Sequence, residues 1–283
     1  MDPLSGDYSS HLRSPTGIAA DPALTSHGVD QAEELAAHLI KVDPPVDRVY
    51  SSPYYRCLQT IQPFVSLWAE KDPAANPVIL GETGLAEWYG SAPFEHPTSA
   101  PPEKLKQLFP ALDTGYMSAV VPSRMGESIA QLHDRVAMTM DALIRQCDKS
   151  GVRAMLLCSH AATIIALGRV LTGNMPDNVE TEDFRAFTCG LSVYRRRGSI
   201  PAAADNPTGQ QVTVPSRGNL EHINASPPHD AGSPDSCSCS SNPVDHSSPK
   251  SVKWKDGKGV GGGWVLETNS DCSFLSGGEE RGW

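Results

Sequence analysis

No stretch of this sequence reaches the ~18 apolar residues that a membrane-spanning helix needs, so no membrane span is expected. The opening Met1 to Asp7 carries no apolar run after a basic start, so no secretory leader is expected either. Basic charge is also scarce: 23 Lys and Arg stand against 33 Asp and Glu, for a net charge of −10. Affinity for the nucleic-acid backbone rests on Lys and Arg, so no direct nucleic-acid partner is expected. Protein partners are not excluded by that charge. Paired cysteines are lacking too. The chain has seven, an odd number. Cys57, Cys147, Cys158 and Cys189 fall in apolar-periodic segments and read as small buried hydrophobes, which fits a reducing compartment. Metal-ligand spacing is missing as well. Cys237-Ser-Cys239 is a bare C-x-C with no second Cys or His pair, so no metal and no cofactor is expected. A zinc-cluster DNA-binding protein built on that C-x-C and on Arg195 to Arg197 is disfavoured for the same reason.

What the chain does have is 39% hydrophobic residues over 283 positions, enough for one good core or two small ones. Residues 1 to 24 read as loop. Thr25 or Ser26 then caps a helix whose apolar stripe is Val29, Ala32, Leu35, Ala36, Leu39 and Ile40. A short strand, Val46 to Tyr50, leads into a second helix with Leu58, Ile61, Val65 and Trp68 on one face. Pro63 inside it predicts a kink or break. Val78 to Leu80 is a further strand, residues 91 to 125 are Pro-rich and irregular with a helical turn at Glu103 to Leu108, and Glu127 to Cys147 is the longest helix. Ala154 to Cys158 reads as a buried strand that runs straight into a helix, Ala161 to Leu171. A strand-like run, Phe187 to Tyr194, ends in Arg195 to Arg197, which reads as a solvated strand end.

Composition shifts at Gly198. From there to about Gly263 the chain carries eight prolines and many Ser, Gly, Asn and Asp. The expected division is therefore a domain over 1–197, a disordered insertion over 198–262 with an edge strand at Gln211 to Val214, and C-terminal strands over 263–283 that return to the domain. Gly263 to Glu267 and Cys272 to Leu275 look like a hairpin pair. Strands alternating with helices over short connections predict an α/β fold, a mainly parallel sheet flanked by helices in three layers.

Ligands of such sheets sit at the carboxyl ends of the strands. Arg56 follows one strand, Glu87 another and His160 a third, so all three can face one crevice. Each alone has a plainer reading: a surface helix arginine, a loop carboxylate, a turn histidine. Together they suit phosphoryl transfer. Arg56 offers a planar fork that stays charged. His160, between a strand and a helix N-terminus, can add a hydrogen bond or a positive charge. Glu87 has apolar neighbours Leu85, Ala86, Trp88 and Tyr89, which predict a raised pKa and a general acid. Trp88 and Tyr89 read as core or rim aromatics.

Leu24-Thr-Ser-His-Gly28-Val-Asp-Gln31-Ala32, Tyr50-Ser-Ser-Pro53-Tyr-Tyr-Arg56-Cys-Leu-Gln-Thr60, Gly84-Leu-Ala-Glu87-Trp88 and Ser159-His160-Ala161 stand in this order. In order and spacing they resemble the histidine phosphatase (phosphoglycerate mutase-like) superfamily. The resemblance spans roughly residues 15 to 194. The S-P-x-x-R-C-x-Q-T and G-L-x-E-W wording is similar to the branch holding the suppressor of T-cell-receptor signalling phosphatases. Arg13 to Gly17 and the tail Phe274 to Trp283 look like fungal members of that branch, related to the tau phosphatase-like subunit of RNA polymerase III transcription factor IIIC. The resemblance implies metal-free phosphomonoester hydrolysis through a phosphohistidine. It makes Arg56 a phosphate-binding residue, His160 a second pocket histidine that binds phosphate and serves catalysis, and Glu87 the catalytic proton donor. It also allows protein partners in a transcription assembly and a location in the nucleus or the cytoplasm.

The same resemblance implies a central strand ending in Arg-His-Gly, whose histidine is the nucleophile. The sequence contains no Arg-His-Gly. His11 lies where the family has already passed that motif, and His27 belongs to the L-T-S-H-G helix start, so no nucleophile is assigned. Covalent catalysis needs one. The chain as written is therefore expected to be inactive, as an N-terminally incomplete piece rather than a true pseudo-phosphatase. The missing strand would lie beside the one before His160 and leave backbone groups there unpaired.

Overall fold

The computed structural model describes residues 7–8, 12–198 and 252–281. Four short strands make one parallel sheet: β1 (Arg48–Ser51), β2 (Ile79–Gly81), β3 (Leu112–Asp113) and β4 (Met155–Cys158), in the order β3-β2-β1-β4. The helices are α1 (Ser26–Leu39), α2 (Tyr55–Lys71), α3 (Pro102–Leu108), α4 (Ile129–Lys149) and α5 (Ala161–Thr172). Successive residues of β1 point to opposite faces. Val49 joins a core with Leu35, Leu58, Ile61, Phe64 and Leu105 from α1, α2 and α3. Tyr50 joins the other, with Val136, Met140 and Leu143 of α4 and Leu167 and Val170 of α5. The result is the expected three-layer, mainly parallel α/β fold.

Local signals account for most element ends. The Thr25 hydroxyl accepts from Gly28 N at 3.0 Å and starts α1. Ser128 and Gln131 form a reciprocal capping box at the start of α4. Gly173, at φ 80°, closes α5 in the left-handed region. Pro63 does not break its helix: α2 runs unbroken from Tyr55 to Lys71. Ile61, Phe64 and Val65 pin both adjoining turns into the core, and that burial outweighs the ~3 kcal/mol an interior proline costs.

Two expectations about strands change. Met155 to Cys158 is not a fully buried strand, because all four residues are partly exposed. β4 pairs with β1 on one side, Arg48 opposite Met155 through Ser51 opposite Cys158. Among the described residues no strand pairs with its other side. The C-terminal hairpin does not form either. β6 (Trp264–Asp271) is one continuous strand, antiparallel to β5 (Leu191–Arg196). Residues 272–275 turn back through Leu275 N to Cys272 O at 2.9 Å, so the partner of 264–271 comes from far along the chain.

The polar run expected from 198 to 262 enters the described residues at Val252, and from there it is packed. Trp254 is buried and stacks on His133 of α4 at 5.8 Å, and Val260 joins the same core. Arg195 to Arg197 is more than a solvated end. Arg195 pairs with Glu267, Arg196 with Asp148 at 2.7 Å, and the Arg197 guanidinium donates to Thr172 O at 3.0 Å. The expected strand 211–214 and the C-x-C at 237–239 lie outside the described residues.

Candidate functional site

The carboxyl ends of β1, β2 and β4 bring the three expected residues together. Ser52 and Pro53 follow β1, and α2 begins at Tyr55, so Arg56 sits in its first turn. A short helical turn after β2, Thr83–Leu85, delivers Glu87. His160 occupies the N-cap position of α5. The loop carrying Glu87 is tied down by its carbonyls. Leu85 O accepts from Ser159 Oγ at 2.7 Å, Ala86 O from Thr163 Oγ1 at 2.9 Å, and Gly84 O and Ala86 O from Arg135 at 2.9 and 3.0 Å. A Cβ on Gly84 would lie 2.1 Å from Thr139 Oγ1, so only glycine lets this loop lie so close to α4.

One Arg56 nitrogen, Nη2, donates to Glu87 Oε2 at 3.0 Å and stands 3.0 Å from His160 Nδ1. His160 Nδ1 is 3.2 Å from the same carboxylate oxygen, and its Nε2 is 2.8 Å from Ser52 Oγ. Burial works against a charged imidazole, but contacts with Cys57 and Glu87 outweigh it and push His160 up to about 9. The Cys57 thiol is itself held well above its usual range, by its hydrogen bond to Cys158 and by burial. Glu87 is the carboxylate that faces His160, and it acts on the imidazole together with Cys57. The expected raised pKa of Glu87 is overturned. Burial does raise it, but the hydrogen bond and charge of His160, with Arg56, pull it down to about 2. Its sequence neighbours are apolar; its spatial neighbours are cations, and at this range cations decide. In this arrangement Glu87 is an ionised counterion and carries no proton to donate.

Asp21 was not legible as part of the site. Its carboxylate is fully buried, accepts from the N–H of Tyr55 at 2.6 Å, and pairs with Arg56 Nη1 at 3.1 Å. It caps α2 from outside the helix and fixes the guanidinium that the helix presents. A loop Asp before Pro22 was the signal available, and it is a weak one. Tyr54 was missed too. Its ring meets His160 edge-on at 5.3 Å and lies 5.0 Å from the Arg56 guanidinium carbon. His27 lies elsewhere, paired with Glu280 at an exposed position. His11 falls outside the described residues.

A parallel α/β sheet with an arginine, a histidine and two carboxylates gathered at its strand ends defines an α/β protein with a polar, cation-bearing crevice. The chain belongs to the histidine phosphatase superfamily, branch 1, whose family profile matches residues 9–203. It is 29% identical over 95% of its length to the transcription factor tau 55 kDa subunit of Saccharomyces cerevisiae, of which it covers 52%. It is 30% identical over 58% of its length to the ecdysteroid-phosphate phosphatase of Drosophila melanogaster, covering 21% of that protein. The chain thus spans about half or less of these relatives. The fold resembles that of the ecdysone phosphate phosphatase from Bombix mori, solved with tungstate, with a TM-score of 0.52 and 22% identity over 67% of this chain and 77% of that one.

Proposed function

We propose that this chain is a phosphate-binding, histidine-phosphatase-like module in which Arg56 and His160 hold the phosphate of a phosphomonoester. The observation that carries the reading is the convergence of Arg56 Nη2, Glu87 Oε2 and His160 Nδ1 within 3.2 Å of one another at three strand ends. A dianion entering there replaces Glu87 as the partner of both cations. With both cations engaged by the dianion, the burial that raises the Glu87 pKa is no longer offset, which suits a proton donor, its proposed catalytic role. Hydrolysis through a phosphohistidine also needs a nucleophile, and none of the assigned residues is one. Among the described residues no strand pairs with the outer side of β4, which supports the reading that the strand bearing the nucleophile is absent from the sequence as written; on this reading the sequence as written does not turn over phosphoesters. Heat-unfolding with inorganic phosphate or vanadate tests the pocket, since a ligand of the native state alone raises apparent stability. The midpoint should rise with ligand in the wild type and stay flat in Arg56→Ala. A flat wild-type response removes the phosphate pocket.

A second reading has one observation in its favour. The similarity to the tau 55 kDa subunit extends over 95% of the chain, against 58% for the insect phosphatase. On this second reading the chain is a non-catalytic, phosphatase-like subunit of a nuclear transcription assembly of the RNA polymerase III factor IIIC type. Affinity capture of the full chain from its own cells, with transcription-factor subunits absent from the eluate, would rule it out.

A further inference from the structure

Beside Glu87 lies a cavity of about 140 Å³, walled by Tyr54, Tyr89, His96, Pro97, Val121 and Glu87 itself. Two loops close it. His96 N donates to Arg124 O at 2.6 Å and Glu127 N to Gly90 O at 3.0 Å, which ties residues 90–97 to 124–127. His96 is the odd member. It is 4% exposed, its ring stacks on Tyr89 at 5.2 Å, and among the described residues neither ring nitrogen has a hydrogen-bond partner. Gly126 lets the two loops pack closely here, since a Cβ on it would lie 1.7 Å from Gly90 O and 2.7 Å from His96 Nε2. A buried imidazole with both nitrogens unpartnered is expensive unless something polar enters.

We propose that this cavity is the subsite for the organic half of the phosphoester, and that it takes a single six-membered ring with a hydrogen-bonding substituent read by His96. The proposal rests on Arg56 and His160 holding the phosphate. Size sets the class. An apolar cavity of about 150 Å³ accepts one benzene ring, whereas drug-sized ligands need about 300 Å³ or more. A fused-ring or steroid group exceeds that volume. The flat walls of Tyr54, Tyr89 and Pro97 suit a planar ring, and the ring is attached through the ester oxygen on the Glu87 side.

Calorimetric titration of the full chain with inorganic phosphate, methyl phosphate, phenyl phosphate, 4-hydroxyphenyl phosphate and 1-naphthyl phosphate tests this. Phenyl phosphate should bind about ten- to a hundredfold tighter than methyl phosphate, the gain expected for burying one ring. The hydroxyl should add a further gain that His96→Phe removes, while the naphthyl ester shows no gain. Val121→Trp, at an exposed position on the rim, should abolish the phenyl gain and leave inorganic phosphate unchanged. If phosphate binds but the phenyl and methyl esters are equal, the subsite is wrong and the phosphate pocket stands. If no phosphate compound binds, the phosphate pocket is wrong, and ¹⁹F line broadening of 4-fluorophenol decides the cavity. Broadening lost in Val121→Trp keeps it, and no broadening in the wild type removes it.

Discussion

Glu87→Gln should both weaken the fold and flatten its response to alkali. His160 moves from 6.5 to about 9 in the folded chain. At about 1.4 kcal/mol per unit this is roughly 3 kcal/mol of preference for the charged imidazole. Because that pKa is raised, the stability is fully present below about 6.5 and is lost as pH rises through about 9. Glu87 moves the other way, from 4.5 to about 2, so its share is present above 4.5 and is lost as pH falls through about 2. Cys57 and Glu87 both raise His160, and the share that Glu87 supplies is the same interaction that lowers Glu87, so the two shifts are not added. Between pH 4.5 and 6.5 the pair is intact. Glutamine keeps the shape and removes the charge, so at pH 6 the variant should lose about 2–3 kcal/mol, the loss of a largely buried charge partner. Urea unfolding of both proteins at pH 6 and pH 9 reads the effect. The wild type should lose stability across that interval, and Glu87→Gln should lose less, because Cys57 still acts on His160. Equal losses in the two proteins would refute the claim that Glu87 holds the proton on His160.

Arg135 is almost fully buried, bonds both Glu127 carboxylate oxygens at 2.9 Å and ties Gly84 O and Ala86 O. Arg135→Met strands that carboxylate, so about 3–5 kcal/mol of stability should go, measured by denaturant midpoint. A change under 1 kcal/mol would mean the loop carrying Glu87 is held by other contacts. Trp254→Ala should cost about 3–5 kcal/mol, the usual range for a buried aromatic; an unchanged melting temperature would contradict the packing of this segment on α4. Replacing His96 by Phe should leave stability unchanged or raise it by about 1 kcal/mol, because it removes an unsatisfied buried polar group and keeps the stack on Tyr89. A large loss would show that the imidazole is satisfied in the free protein.

The elements that were legible are the ones written in neighbouring residues. Thr25 before an apolar stripe at helical spacing marks α1, and Ser128 with Gln131 marks α4. Strand-to-helix turns put Arg56 and His160 at strand ends before any coordinate is known. The strand at 264–271 was misjudged because its partner, β5, lies some seventy residues earlier. Glycine- and lysine-rich sequence likewise hid the packed turn at 252–262, because the residue that anchors it, Trp254, finds its partner on α4.

The sequence by itself determined the family, through its four ordered motifs, along with the α/β alternation and the identity of Arg56, Glu87 and His160 as the residues to watch. Tertiary structure alone decided their charge states. Glu87 is ionised because folding places it between an arginine and a histidine that come from other strands, and Coulomb attraction over about 3 Å overrides apolar sequence neighbours. Asp21 enters the site for the same kind of reason, since a carboxylate 35 residues upstream is carried onto the first turn of α2. Hydrogen bonds and charges act across space at a few ångströms, whatever the distance along the chain.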